Sequence, residues 1–186
     1  MYAWRDGAWR TVYGWQNLRR VRIGELGRRW FSACDVPDLA LFPARYPGVE
    51  TVEFHAGIEL GTPHLGLWAL SWLVRARLLR SLRPLAGFAR RVGDLTCRFG
   101  TDRGGMYVHL VGTDFGGRPI RRCWRLVAEA GDGPFVPATP AVILAKKLAQ
   151  GTLTARGALP CLGLFTLEEF RTEIADLAIG DGWAAA

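Results

Sequence analysis

Glu53, His55 and Glu59 fall on one parity of a single alternating segment, so a strand through them would set two carboxylates and an imidazole on one face. Such a trio can exchange protons with a substrate or grip the ammonium of an amino acid. The alternative is a solvated sheet face, because antiparallel sheets often leave one side wet. His109 shares a face with Tyr107 and Val111 and reads as either a catalytic or a structurally satisfied histidine. Arg121 and Arg125 share parity with Glu129. Two guanidiniums so placed can clamp a substrate carboxylate by bidentate bonding, or form rungs of a cross-strand charge ladder.

Other chemistries lack their residues. The stretch 131–140, GDGPFVPATP, looks like a nucleotide loop, but Val136 stands where the third glycine of a dinucleotide fingerprint belongs. Pro134 deletes a backbone donor, Asp132 repels phosphate, and no acid follows until Glu168. Thr139 before Pro140 marks a helix start, where free N–H groups can face a cofactor or substrate anion, or where Thr139 simply caps. Ser32, Ser71 and Ser81 have no G-x-S-x-G elbow, and His55, His64 and His109 have no zinc-like spacing with the cysteines, so no metal is expected.

The net charge of +7 comes from 22 Arg and only Lys146 and Lys147, scattered among Ala and Gly as a GC-rich coding sequence would also give. Nucleic-acid binding is therefore not expected. Cys34, Cys97, Cys123 and Cys161 are too far apart for a C-x-x-C pair, and nothing at the N-terminus reads as a signal peptide; reduced thiols in a cytoplasmic protein are the expectation. The longest apolar run, 65–74, is too short for a bilayer core, which needs roughly 20 residues. A membrane-surface helix stays open, since Trp68 and Trp72 precede Arg75, Arg77, Arg80 and Arg83; the simpler reading is a core-facing helix with a basic solvated end.

At 186 residues and 49% hydrophobic content the chain can bury a sizeable core. Asp6-Gly7 between apolar residues predicts a hairpin at the start. A strand is predicted at 29–34, then a turn at 35–38. In 51–60, Val52, Phe54, Ala56, Ile58 and Leu60 alternate with polar or small residues, which predicts a half-buried strand. Thr62-Pro63 predicts a helix to about Leu82, with a second at 85–92. Strands are predicted at 95–99, 105–111 and 119–129. Thr139-Pro140 opens a helix ended by Gly151, and Thr166 with Glu169 has the capping-box spacing of a last helix reaching about Leu177.

In chain order these segments resemble the second half of saccharopine-dehydrogenase-like oxidoreductases. The resemblance is carried by YAWRDGAW at 2–9, DVPDLALFPARYPGVETVEFHAG at 35–57, RCWRLVAEAGDGPFVPATPAVILAKKLAQG at 122–151 and ARGALPCLGLFTLEEF at 155–170. It implies an α+β fold, a mostly antiparallel sheet with helices packed on one face. It implies a substrate and oligomerisation domain over 1–133 and a helical segment over 134–186 that packs on that domain and on a nucleotide-binding partner half. This chain begins where the family's second half begins, so NAD(P) is expected only with a separate Rossmann half, and the chain alone is not expected to transfer hydride.

Residues 141–148 open with a run that is apolar all round, which suits a helix held between two layers. Without a partner that helix should leave an adhesive outer face around Val142, Ile143 and Leu148, so a homo-oligomer, a separate Rossmann-domain companion, or a fragment cut at the domain boundary is expected. The rival expectations are a non-catalytic ligand-binding or scaffold module, and a peripheral membrane protein using the Trp68/Trp72 helix.

Overall fold

Asp6 and Gly7 both take left-handed backbone conformations (φ 52° and 69°), the geometry of a tight hairpin turn between β1 (Tyr2–Arg5) and β2 (Ala8–Thr11). Trp4 and Trp9 face each other across that hairpin, their rings 5.2 Å apart and edge to face. The computed structural model describes residues 1–184; Ala185 and Ala186, the last two of the expected C-terminal segment, lie outside the described residues. The chain forms an α+β fold divided into two compact units, Met1–Thr101 and Asp102–Ala186. The second long hairpin therefore shares a unit with the helices that follow it.

In the first unit, β3 (Arg19–Arg22), β4 (Arg28–Ala33) and β5 (His55–Ala56) make an antiparallel sheet with β4 in the middle. α1 (Asp38–Arg45) occupies the apolar piece after the predicted turn. The long strand expected over 51–60 does not form. Val52 bridges to Trp4, whereas Ala56 and His55 pair with Ser32 and Ala33, so the segment crosses from one strand to another and no single partner follows it. At Gly57 a Cβ would lie 2.6 Å from the Trp30 carbonyl oxygen, so the chain passes β4 too closely for any side chain. The alternation misleads about burial as well: Phe54 is 40% exposed, while the Glu53 side chain is 19% exposed.

The next helix, α2 (Gly61–Arg75), starts without a side-chain cap from Thr62 and stops well before Leu82. Arg77 adopts a left-handed conformation (φ 59°), and the Leu78 N–H turns back to Leu73 O. The strand expected at 95–99 is instead the end of α3 (Ala86–Thr96) and a 3-10 turn at Cys97–Phe99. Phe88, Val92 and Leu95 recur at i, i+4 and i+7, and this helical period outweighs the local β-branched composition.

The second unit is a three-stranded antiparallel sheet in the order β6 (Gly104–Thr113), β7 (Pro119–Ala128), β8 (Ile179–Ala184). The β6–β7 turn is fixed by Asp114, whose Oδ1 accepts from the Gly116 and Arg118 N–H groups at 2.8 and 2.9 Å. α4 (Phe135–Ala149) and α5 (Leu167–Glu173) pack on one face of this sheet: Leu126, Ile143, Phe170 and Ile174 form a buried cluster flanked by Trp124, Val136, Phe165, Leu177 and Ile179. Thr166 and Glu169 form the expected capping box, with bonds of 3.1 and 2.7 Å. The last helix ends at Glu173, and the chain then enters β8 beside β7, a strand the sequence pattern did not signal.

Thr139 requires a correction. α4 begins at Phe135, led in by Pro134 at φ −62°, so Thr139 lies inside the helix rather than at its cap. Its side chain is buried and its hydroxyl donates to Phe135 O at 2.8 Å, and the residues from Thr139 on are inside the helix, so the free N–H groups expected there to face a cofactor or anion do not start at Thr139.

Candidate functional site

Every charged candidate of the first unit is engaged by its neighbours. Glu53 accepts from Arg5 at 2.6 Å and from Arg19 at 2.8 Å. His55, two residues on and held by β5, places Nε2 3.2 Å from the Asn17 amide, whose oxygen, turned toward the cluster, also accepts from Arg19 and Arg5 at 3.3 Å. Burial and then the charge of Arg19 lower the His55 pKa, against an upward pull from Glu53, so the ring is held neutral. Glu59 accepts from the Thr101 N–H at 2.8 Å, the Thr101 hydroxyl at 2.7 Å and Arg29 at 3.2 Å. Burial raises its pKa, but the Thr101 bonds and the Arg29 charge outweigh it and hold the carboxylate ionised. Glu53 and Glu59 thus belong to separate ion-pair networks, and the sequence-derived trio does not converge.

The structure does bring together a serine and a histidine that sequence spacing could not pair. His64 from α2 is fully buried and sits 2.9 Å from Ser32 Oγ of β4. This pair is not a nucleophile and base. The Ile58 N–H donates to His64 Nδ1 at 3.3 Å, so the neutral ring carries its proton on Nε2 and donates it to Ser32. Burial lowers the His64 pKa, consistent with a neutral ring that fastens α2 to β4. Nearby, Gln16 donates to Ser71 Oγ, which donates to Trp68 O at 2.6 Å. A cavity of about 260 Å³ opens beside Ser71, lined also by Tyr13, Arg80 and Ser81, and contains none of the expected site residues.

The second unit offers a different environment. Along β7, Trp124, Leu126 and Ala128 point toward α4 and α5, so Arg121 and Arg125 project from the opposite face, as strand alternation requires. Register places Arg125 between Tyr107 of β6 and Gly182 of β8, and Arg121 opposite Val111. His109, exposed, packs its ring 4.8 Å from that of Tyr107 on the same face. Gly180 and Gly182 supply no side chains there, and a Cβ added at either would meet nothing within 4 Å. Neither Arg121 nor Arg125 makes an ion pair with a described residue. Glu129, the acid that shares their parity, pairs instead with Arg103.

On the helix side of the same sheet lies an ion pair the sequence did not signal. Asp181 of β8 accepts from Arg171 of α5 at 2.8 Å and from Trp124 Nε1 at 2.8 Å. The Arg171 hydrogen bond is the main reason its pKa is lowered, burial opposing. Its side chain is only 8% exposed, and it locks α5 onto the sheet. Residues ten apart in sequence meet here only because β8 returns beside β7.

Among the described residues no three His, Cys, Asp or Glu side chains group to hold a metal ion. No helix among them is long and apolar enough to cross a membrane. No protein-family model matches the chain, and no curated protein matches it significantly.

Proposed function

We propose that this chain is the substrate-side, oligomerising part of a saccharopine-dehydrogenase-like NAD(P)-dependent oxidoreductase, which holds a carboxylate-bearing ligand and does not transfer hydride by itself. The observation that carries the reading is the pair of unengaged guanidiniums, Arg121 and Arg125, on the helix-free sheet face beside Tyr107 and His109. Arg125 is half-buried without a counter-ion, which is costly to maintain, while Arg121 is exposed; an incoming carboxylate supplies the missing partner in bidentate geometry. The glycines of β8 leave room for a ligand backbone to approach. Glu53, His55 and Glu59 are structural in this reading, since the two carboxylates already have their counter-ions or donors and the neutral His55 ring has the Asn17 amide.

A companion surface is supported by α4. Phe135, Val142 and Leu148 are 51%, 42% and 55% exposed although Ile143 beside them is buried, an apolar face that suits a second copy or a Rossmann-type nucleotide half, which would bring the NAD(P). Calorimetric titration with glutamate, glutarate and their monoamine counterparts tests the ligand reading. Binding of the carboxylates alone, lost in Arg125→Gln, is the expected result; affinity that ignores the carboxylate, or survives Arg121→Gln/Arg125→Gln, rejects it. Light scattering across a dilution series tests the companion surface, and a monomer at every concentration, with no uptake of a Rossmann-type partner, counts against it.

A further inference from the structure

From the last turn of α2 through α3 the chain is largely exposed and strongly basic. Residues 72–99 contain seven arginines, Arg75, Arg77, Arg80, Arg83, Arg90, Arg91 and Arg98, all exposed, and a single acid, Asp94, which faces Arg90 at 3.8 Å. Interleaved with them are large apolar side chains open to solvent: Trp72 at 44%, Leu78 at 72%, Phe88 at 66%, Leu95 at 67% and Phe99 at 65%. α3 has no buried residue at all. At about 100° per residue, Phe88, Val92 and Leu95 form one stripe, Arg91 borders it, and Arg90 and Asp94 lie on the far side. Arg75 lies 4.9 Å over the Trp72 ring and Arg98 4.9 Å over the Phe99 ring, so apolar groups and cations share one surface.

An exposed apolar stripe bordered by arginines, with almost no acid, matches a surface that is apolar beneath and anionic on top. We propose that residues 72–99 dock on an anionic lipid bilayer, with α3 lying in the headgroup layer, Phe88 and Leu95 immersed and the arginines reaching to lipid phosphates. Complementarity points to the occupant: an anionic bilayer offers phosphates to the seven arginines and, directly beneath them, an apolar layer to the open phenylalanine and leucine. The binding is peripheral, and it is independent of the carboxylate face on the second unit.

Co-flotation of the full chain with phosphatidylcholine vesicles, with and without phosphatidylserine, tests the proposal, with duplex DNA as a competing polyanion. The expected result is flotation that requires phosphatidylserine, weakens with salt, and falls at least about tenfold in Phe88→Ser/Leu95→Ser. Because neither side chain is buried, circular dichroism of that variant should be unchanged. Arg91→Gln/Arg98→Gln keeps the apolar stripe and should lose the lipid-charge preference. The proposal is overturned if anionic vesicles leave the protein behind, if the Phe88/Leu95 variant floats as well as the parent, or if the chain binds DNA and not vesicles.

Discussion

The two units handle polar groups in opposite ways. In the first, the candidate groups and their neighbours are matched, with the buried Arg5 Nε as an exception: Ser32 with His64, Gln16 with Ser71, Glu53 with two arginines, Glu59 with Arg29 and Thr101. In the second, the core is an apolar cluster of Leu126, Ile143, Phe170 and Ile174, while Arg121 and Arg125 stand unmatched on the other side of the sheet. Residue type does not separate the two cases, since glutamate, histidine and arginine are equally capable of chemistry. What separates them is whether the fold has already supplied the partner: among the described residues Glu53, His55 and Glu59 have one, whereas Arg121 and Arg125 have no ion pair.

The apolar core gives the sharpest way to break this contrast. Phe170→Ala removes a ring that is 7% exposed at the centre of the cluster and is expected to cost about 3–5 kcal/mol in chemical denaturation. A loss below about 1 kcal/mol would mean that α5 is not held by this cluster.

His64 probes the first unit in the same way. His64→Ala leaves Ser32 Oγ and the Ile58 N–H without their bonds and opens a void, for an expected loss of about 2–4 kcal/mol. The sign of its pH dependence follows from the lowered pKa values of His64 and His55. The unfolded chain binds protons more readily, so this stability is complete above about pH 6.5 and is lost as pH falls toward the folded values, at no more than about 1.4 kcal/mol per pH unit for each histidine. Denaturation midpoints followed from pH 8 to pH 5 should drop for the parent and drop less steeply for His64→Gln. Equal slopes would remove His64 from the account.

Much of the second unit was legible in the sequence because its signals are local. The β6–β7 hairpin follows alternation around a turn-forming Asp-Phe-Gly-Gly, and the Thr166/Glu169 box needs only a spacing of three. What escaped was set at long range. β8 is a short Gly-containing strand that forms because β7 has a free edge, and with it came the Asp181–Arg171 lock. The segment 51–60 alternated well but met two different partners, so local period did not give its structure. At Thr139 a cap-plus-proline pattern coincided with a helix already begun at Phe135, where Pro140 falls early in the helix and Thr139 bonds the preceding turn. For the site, alternation grouped Arg121 with Arg125 and His109 with Tyr107, but only the β6–β7 register put both groups on one side of the sheet, and the absence of an ion pair to the arginines among the described residues went with Glu129 turning to Arg103.

Asp181→Asn tests the lock on the helix side of that sheet. The change keeps the shape and removes the charge that Arg171 and Trp124 hold, and with Arg171 partly open to solvent the expected loss is about 1–2 kcal/mol.

The smallest effect on stability discriminates best. Arg125→Gln breaks no ion pair with a described residue, so its stability should lie within about 0.5 kcal/mol of the parent, and carboxylate binding should be lost. Glu53→Gln should do the reverse: it strips the shared counter-ion from Arg5 and Arg19, destabilises by about 1 kcal/mol, and leaves the carboxylate titration unchanged. If instead Glu53→Gln weakens the ligand and Arg125→Gln weakens the fold, the ligand site has been assigned to the wrong unit. The crossed pattern cannot arise from general loss of structure, because each variant serves as the folding control for the other.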